Sequence, residues 1–348
     1  MGKILETYTP LELSQAVRQD LGAETFLRDT FFGRRETHGT KAFAIDIVKG
    51  KRTVAPFVFR AQAGKIVDKV GYETKVIEPA YINIKTKVEF DDLFARAPGE
   101  TLFVNGSREE MTKDKIAGWL GDMGRSVDRR EELMAAQALF LGYVDIYVDG
   151  SLAKRVSFDL TADQQVTKSG NYKWDNYTSG ESDPLNDLRE WRAKQKQLCG
   201  LTTKRAVMNT ATWQAFASNP AVLAKYDLRN VALGELRRAE RDDGSVFQGT
   251  FEEIDIFTYD EWYLDDTGVE QKMVPDGVVL LTPRNPDFRM HYGVIQGKDE
   301  EGRPMMVVGD RFVDSYTEND PVAEFLRLQA APLPVPHQTD AIFLATVL

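Results

Sequence analysis

Adjacent carboxylates are the residues of this sequence whose types and spacing most resemble a hydrolytic site. The pairs are Asp91-Asp92, Glu252-Glu253 and Asp265-Asp266. A glycosidase uses two carboxyl groups as acid and as base or nucleophile, and a metal-dependent nuclease uses carboxylates to hold cations. In an acidic chain, such pairs are more often solvated turns. A carboxylate-based hydrolase that acts as a small soluble oligomer is therefore the alternative function.

The histidines and the cysteine form no catalytic or metal-binding motif. His38, His291 and His337 are far apart, and neither H-E-x-x-H nor G-x-S-x-G occurs. The single Cys199 excludes an internal disulfide, and together with three scattered histidines it does not make a standard structural zinc site. The sequence thus predicts no catalytic residue, cofactor or metal, and leaves open whether the histidines converge in space.

An aromatic group lies in a polar, Gly- and Ser-rich segment, at Tyr172, Trp174 and Tyr177. Stacking of a sugar or a base on Trp174 would make the chain a glycan- or nucleic-acid-binding module. We favour packing beneath a long loop, because no basic stripe accompanies these rings. The segment ends at Asp183-Pro184, which is typical of a helix start.

Length, composition and charge limit the classes of protein to which this chain can belong. The 348 residues, 42% of them hydrophobic, suffice for a large core and predict two lobes or more. A net charge of −10 argues against a surface that grips nucleic acid. The longest aliphatic runs, such as Val278 to Leu281, are far shorter than the roughly 20 residues that cross a bilayer. The first residues lack a secretory pattern, so we expect synthesis in the cytoplasm.

The N-terminal part of the chain is predicted to contain a helix followed by a cluster of aromatic residues. A capping box with proline at the first helical position predicts a helix from about Thr9 to Leu21. Phe26, Leu27, Phe31 and Phe32 follow, and then Gly33-Arg34-Arg35. The cluster must pack against another surface, either of this chain or of a neighbouring one.

A long two-stranded ribbon is predicted from Phe43 to Phe90. Its return arm alternates strictly between apolar and polar residues from Ile82 to Phe90. The basic residues of its Gly- and Lys-rich bends include Lys51, Arg52, Lys65 and Lys69. These residues either solubilise the ribbon or pair with acidic patches of other subunits. An isolated ribbon is marginally stable, so we expect neighbouring chains to support it.

The rest of the chain alternates between helices and strands. Apolar spacing predicts a helix from about Thr112 to Leu141, more strongly after Ser126 because three glycines weaken its first half. A compact α/β lobe follows Gly200. Asp320-Pro321 could start a helix, but the prolines of APLPVP forbid its continuation and favour an extended edge strand or a polyproline-like segment. A terminal strand is predicted from Ile342 to Val347.

Several stretches occur in the order of landmarks of a known family: EPAYINIKTKV, KWDNYTSGESDPLNDL, MVPDGVVLLTPR with MHYGVIQG, and NDPVAEFLRLQAAPLPVP. They resemble the phage major capsid protein E family, which contains the lambda-like major capsid proteins. The resemblance implies an α+β fold of the Hong Kong 97 type. That fold has an N-terminal arm, an extended E-loop hairpin, a peripheral domain with a long spine helix, and an α/β axial domain.

The resemblance also implies which residues form each part of this fold. The arm would span 1–42, the E-loop 43–92, the peripheral domain 93–200 and 310–348, and the axial domain 201–309. Residues Ser126 to Leu141 would form the spine helix. The proline-rich segment would return the chain from the axial domain to the sheet of the peripheral domain.

The implied function is that of the structural head protein of a tailed bacteriophage, not of an enzyme. It would assemble as pentamers and hexamers into an icosahedral shell around double-stranded DNA. Further partners would be a decoration protein, a scaffold and a portal, with the DNA held without specific binding and no membrane or cofactor involved. The location would be the virion capsid, assembled in the host cytoplasm.

The contacts between subunits are predicted to involve basic and aromatic residues. They are Phe31, Phe32, Arg34, Arg35, Lys51, Arg52, Lys65, Lys69, Tyr81 and Trp174. A covalent cross-link would join a lysine such as Lys65 or Lys69 to an asparagine of another subunit. Nothing in the sequence identifies that asparagine, so we predict no cross-link.

Overall fold

The computed structural model describes residues 24–48, 72–88, 108–148, 150–177, 180–229, 239–241, 243–265, 268–298, 303–319 and 322–348. Its helices are α1 (Phe26–Phe31), α2 (Arg108–Phe140), α3 (Pro184–Cys199), α4 (Thr210–Ala217) and α5 (Pro220–Arg229). The strands of the first half are β1 (Arg34–Thr37), β2 (Phe43–Val48), β3 (Tyr72–Ile77), β4 (Ile82–Val88), β5 (Tyr143–Val148), β6 (Ser151–Ser157) and β7 (Gln165–Thr167). Those of the second half are β8 (Thr203–Met208), β9 (Ala239–Glu240), β10 (Ser245–Phe251), β11 (Ile254–Tyr259), β12 (Trp262–Leu264), β13 (Glu270–Lys272), β14 (Val278–Pro283), β15 (Phe288–Tyr292), β16 (Ile295–Lys298), β17 (Pro304–Val307), β18 (Arg311–Asn319), β19 (Val322–Ala330), β20 (Pro332–Pro336) and β21 (Phe343–Thr346).

A seven-stranded mixed sheet, in the order β7-β21-β14-β8-β11-β10-β9, forms the centre of the protein. Its inner strands are apolar at successive positions because both faces are covered. Val279 and Leu281 point to the core beneath α3, α4 and α5, whereas Leu280 points to the core that α2 covers. After Gly200, strand β8 is followed by helices α4 and α5, and the described elements from β9 to β20 are all strands. The predicted alternation of strands and helices therefore holds only for the first part of this stretch.

Helix α2 spans 33 residues, or about 50 Å at 1.5 Å per residue. It extends the predicted helix at its N-terminal end, and its glycines do not interrupt it. The first half packs through Ile116, Leu120 and Val127 against the three-stranded sheet β18-β19-β4. The second half packs through Ala135 and Leu139 against the central sheet. One helix therefore connects two separate apolar cores.

The predicted ribbon has a different return arm. Strand β2 pairs with β3, with Phe43 opposite Ile77 and Val48 opposite Tyr72. The strand predicted as its partner, β4, pairs instead with β19. Alternation correctly indicates that β4 has one exposed face and one partly buried face, but it does not identify the neighbouring strand. The bends between β2 and β3, with Lys51, Arg52, Lys65 and Lys69, lie outside the described residues, as does the predicted helix from Thr9 to Leu21.

The proline-rich segment forms β20, an edge strand of the sheet β1-β15-β20. Pro332, Pro334 and Pro336 lie opposite Tyr292, Met290 and Phe288 in the antiparallel register. Because successive N–H groups of a strand point to opposite edges, the three prolines share one edge and leave the other free for pairing. The prediction of an edge strand is confirmed, whereas the helix considered before it is wrong, because Val322–Ala330 is strand β19.

The terminal strand is also confirmed. Strand β21 lies between β14 and β7 in the central sheet. The central sheet therefore joins strands from residues 201–309 with strands from both flanking stretches, and the implied limits between peripheral and axial domains stay a prediction. Among the described helices, none combines the length and apolar character that crossing a membrane requires.

Helix α3 begins at the predicted Asp183-Pro184 start, and the Asp183 carboxylate accepts hydrogen bonds from the N–H groups of Leu185 and Asn186, both at 3.1 Å. We expect Asp183→Ala to lower the free energy of unfolding by about 1 kcal/mol, because two amide donors lose their partner. Urea unfolding of the unassembled chain, followed by tryptophan fluorescence, measures it. Asp183→Asn keeps the acceptor and is the control; equal losses in both variants would contradict the capping role.

Candidate functional site

Four charged side chains, three of them buried and one largely buried, join three distant segments of the chain. Arg28 of α1 contacts Asp128 and lies 2.9 Å from Glu131, both on α2. Arg311, the first residue of β18, contacts the same two carboxylates, at 3.2 Å from Glu131. None of the four side chains is more than 13% exposed. The cluster thereby fixes α1 and β18 to the same turn of α2.

The charges within this cluster are complementary. Burial alone would raise the pKa of Asp128, but hydrogen bonds and positive charge from Arg311 and Arg28 hold that pKa below its usual value. A buried ion pair is stable only when its members also satisfy each other's hydrogen bonds, as here.

Glu132, the next residue of α2, caps α1 from outside. Its two carboxylate oxygens accept hydrogen bonds from the N–H groups of Leu27 and Arg28, both at 2.8 Å. Thr25, the residue at the N-cap of α1, makes no capping hydrogen bond with its side chain. Burial raises the pKa of Glu132 to about 7. The first turn of α1 is therefore capped by a side chain of α2 and not by its own N-cap residue.

The sequence contained a signal for these acids that the prediction missed. Asp128, Glu131 and Glu132 have the i, i+3, i+4 spacing of one helix face, the face that also contains Val127 and Ala135. Carboxylates inside an apolar stripe indicate buried partners. Their basic partners, from 100 or more residues away, could not be identified from the sequence.

The aromatic cluster of α1 packs within its own chain. Phe26 lies 5.5 Å from Tyr259, and Phe32 stacks on Phe288 at 5.6 Å between ring centroids. Phe31 and Phe32 are almost completely buried. This corrects their prediction as subunit contacts, since their apolar surface is already covered inside the chain.

Trp174 is fully buried, which confirms the packing interpretation and corrects its prediction as a subunit contact. Its ring stacks on Trp191 at 5.8 Å, and its indole N–H donates to Asp187 at 3.0 Å. Tyr172 and Tyr177 stay partly exposed in the same segment. No face of the tryptophan is left for a sugar or a base.

The other predicted contact residues that the structure describes lie at the surface. The Arg34 side chain is 72% exposed and lies 3.3 Å from Asp287, and Arg35 lies 3.6 Å from Asp310. Tyr81 is also exposed. Their contact with other subunits stays a prediction.

All three histidines converge. His38, just after β1, has its Nε2 atom 2.8 Å from Nδ1 of His291 on β15. The Nε2 atom of His291 lies 2.8 Å from Nε2 of His337, just after β20. Glu36 lies opposite His291 in the parallel register, with its Oε2 atom 3.6 Å from Nδ1 of that ring. The sequence had left this convergence open, because only the pairing of β1, β15 and β20 creates it.

The described carboxylate pairs do not have the environment of a general acid. Glu252 and Glu253 form a turn between β10 and β11 and pair with Arg189 at 2.6 Å and with Arg192 at 2.5 Å, respectively. Hydrogen bonds from Arg192 and Lys204 lower the pKa of Glu253, whereas a general acid needs a raised one. Asp265 accepts a hydrogen bond from the N–H of Val269 in the β12–β13 turn. Asp91, Asp92 and Asp266 lie outside the described residues.

Three two-stranded hairpins expose large apolar side chains. They belong to β5–β6, β12–β13 and β16–β17 and to residues next to these strands. The exposed residues are Tyr147, Val148, Leu152, Trp262, Leu264, Val269, Met305, Met306 and Val308. Exposed apolar side chains grouped on these hairpins favour contact with other protein surfaces.

Comparison with known proteins shows sequence similarity to one family over almost the whole chain. Residues 9–347 match the family described as phage major capsid protein E. The major capsid protein of Enterobacteria phage P21 is 25% identical over 333 residues, which cover 94% of this chain and 95% of that protein. The major capsid protein of Escherichia phage lambda is 23% identical over 332 residues, which cover 94% of this chain and 96% of that protein.

A solved structure has the same fold. The crystal structure of a putative capsid protein of a prophage from Escherichia coli CFT073 superposes with a TM-score of 0.71. The superposition covers 98% of this chain and 99% of that one, at 17% sequence identity. The architecture is thus an α+β fold of the Hong Kong 97 type, as the sequence resemblance implied.

We expect Arg28→Met to lower the free energy of unfolding by about 3–5 kcal/mol, because it leaves buried carboxylates with one arginine instead of two. Arg34→Met is the control, since the exposed pair of Arg34 contributes about 0–1 kcal/mol. Urea unfolding of both unassembled variants at neutral pH measures the difference. Similar losses in the two variants would show that the buried cluster has no special role.

Glu132 gives a pH-dependent prediction. Between pH 4.5 and 7 the unfolded chain releases this proton while the folded chain keeps it, so folding loses stability as pH rises. Glu132→Gln does not titrate. We therefore expect the unfolding free energy of the wild type, relative to the variant, to fall by about 3 kcal/mol over this window. A difference that is flat or rises with pH would mean that Glu132 is ionised throughout.

Proposed function

This chain belongs to the phage major capsid protein E family, and from that membership we propose that it assembles as pentamers and hexamers into an icosahedral shell that encloses double-stranded DNA. The family gives it a structural role in the virion capsid, where it associates with further copies of itself, and not an enzymatic one. The observation that carries the proposal is the match of residues 9–347 to this family.

The small hairpins of the subunit support assembly. Four of them, β2–β3, β5–β6, β12–β13 and β16–β17, form two-stranded sheets separate from the central sheet. Three of them, β5–β6, β12–β13 and β16–β17, expose large apolar side chains, which contact with neighbouring subunits would cover. A closed shell engages many such contacts at once, which makes the assembly far tighter than any one interface.

The exposed basic residues near the N-terminal segment fit a role between subunits. Arg34 and Arg35 already pair with one carboxylate each, and their exposed guanidinium groups retain donors for a second one from a neighbour. Tyr81 presents a half-exposed ring at the start of β4. Lys51, Arg52, Lys65 and Lys69, outside the described residues, are proposed as further contacts because of their place in the E-loop.

The net charge of the chain bears on packaged DNA as a partner, and the family suggests the other partners. A net charge of −10 favours an inner surface along which packaged DNA slides instead of adhering. A scaffold, a portal and a decoration protein are proposed as partners during assembly in the host cytoplasm. The hydrolase alternative is not supported, because the relatives are structural capsid proteins.

Negative-stain electron microscopy with sedimentation, applied to the protein expressed alone and with its neighbouring genes, tests the proposal. We expect shells, tubes or capsomer rings from the wild type. Leu264→Asp should prevent them, because it places a charge in the exposed apolar surface of β12–β13, while Leu264→Met keeps that surface and should assemble normally. Both variants should keep the wild-type circular dichroism spectrum, since Leu264 is 67% exposed.

Two outcomes would contradict these expectations in different ways. A wild-type protein that stays a monomer or dimer under every condition would refute shell assembly and return attention to the carboxylate pairs. Shells from Leu264→Asp would leave assembly intact but remove β12–β13 from the interfaces.

A further inference from the structure

Glu36, His38 and His291 bring three metal-ligating atoms together at the junction of β1 and β15. One oxygen and two nitrogen atoms of these side chains lie within 4.8 Å of one another. The two histidines are 253 residues apart in the sequence. Only the folded chain therefore presents this set of ligands.

We propose that Glu36, His38 and His291 bind a transition-metal ion, best matched by Zn²⁺, which fastens the N-terminal segment to β15. Two imidazoles and one carboxylate form a three-ligand set typical of zinc, with a fourth position for water. Mg²⁺ and Ca²⁺ prefer oxygen ligands and fit this set poorly. The inference is independent of shell assembly, because every ligand comes from one chain.

The distances allow an ion after a small movement. With Zn–N bonds of about 2.0–2.1 Å, two nitrogens on a tetrahedral ion lie about 3.4 Å apart. The separation of 2.8 Å between His38 and His291 therefore has to widen by about half an ångström. His38 can move because it is only partly buried, whereas the nearly buried His291 is the fixed ligand. On binding through Nε2, His38 carries its remaining proton on Nδ1.

Neighbouring residues orient the ligands in the way that metal sites require. Nε2 of His291 lies within hydrogen-bond distance of Nε2 of His337. When Nε2 of His291 carries the proton and donates a hydrogen bond to His337, Nδ1 of His291 has a lone pair with which to bind the ion. Arg289 donates a hydrogen bond to Oε1 of Glu36 at 2.6 Å, which directs Oε2 toward His291. The two hydrogen bonds of Arg289 to Asp287, both at 2.9 Å, offset its positive charge near the ion.

The surroundings close one side of the site and leave another open. The ring of Phe43 stacks on His38 at 4.2 Å and on His291 at 5.2 Å, and so covers the imidazole faces. The Glu36 side chain is 40% exposed and provides access for an ion.

Calorimetric titration of the unassembled full-length chain with Zn²⁺ tests the site. All proteins should contain Cys199→Ser, which removes the single thiol. We expect one Zn²⁺ per chain, a loss of affinity of about 100-fold or more in His38→Gln and Glu36→Gln, and about 10–100-fold in His337→Gln, which affects a ligand only through its orientation. Glu253→Gln, in the exposed turn between β10 and β11, is the matched control and should bind like the parent.

Co²⁺ provides a second measurement that reports geometry. The parent chain should give the intense visible bands of four-coordinate Co²⁺, and Zn²⁺ should abolish them by competition. Near-ultraviolet circular dichroism without metal checks that each variant is folded. The proposal is overturned by no binding to the parent, by His38→Gln binding as tightly as the parent, by a weak six-coordinate Co²⁺ spectrum, or by Mg²⁺ binding with equal affinity.

Discussion

The buried cluster of Arg28, Asp128, Glu131 and Arg311 is the constraint on which the rest of the subunit depends. Removing a charge from water is costly, so these four groups are stable inside the protein only when all of them are in place. Their positions determine where α1 and β18 meet α2. Since α2 also connects the two apolar cores, its contacts with the cluster align the central sheet with the sheet β18-β19-β4.

The N-terminal segment is attached by three different kinds of contact. Phe26 and Phe32 pack into the core under the central sheet, Glu132 caps α1, and β1 pairs with β15. The proposed metal site would add a fourth at the end of β1. The orientation of Arg34 and Arg35, which we propose to lie between subunits, depends on this attachment.

Strand pairing holds the C-terminal part of the chain in place. The prolines of β20 leave one edge of their strand without donors, which restricts pairing to β15. Beyond β20, the chain enters the central sheet as β21, where Phe343 and Leu344 supply side chains to opposite cores. The end of the described chain is therefore an internal strand, held on both sides, and the seven-stranded sheet needs it to be continuous.

The sequence by itself determined the elements that depend on local patterns. The spacing of α2, the cap of α3 at Asp183, the edge strand of prolines and the terminal strand all follow from propensity, capping and hydrogen-bonding capacity within a few residues. The order of family landmarks added the capsid fold. Only the tertiary structure decided that β4 pairs with β19, that Phe31, Phe32 and Trp174 are buried, and that three histidines meet. Those features depend on contacts between residues far apart in the chain, and alternation or composition indicates that a side chain is buried without indicating its partner.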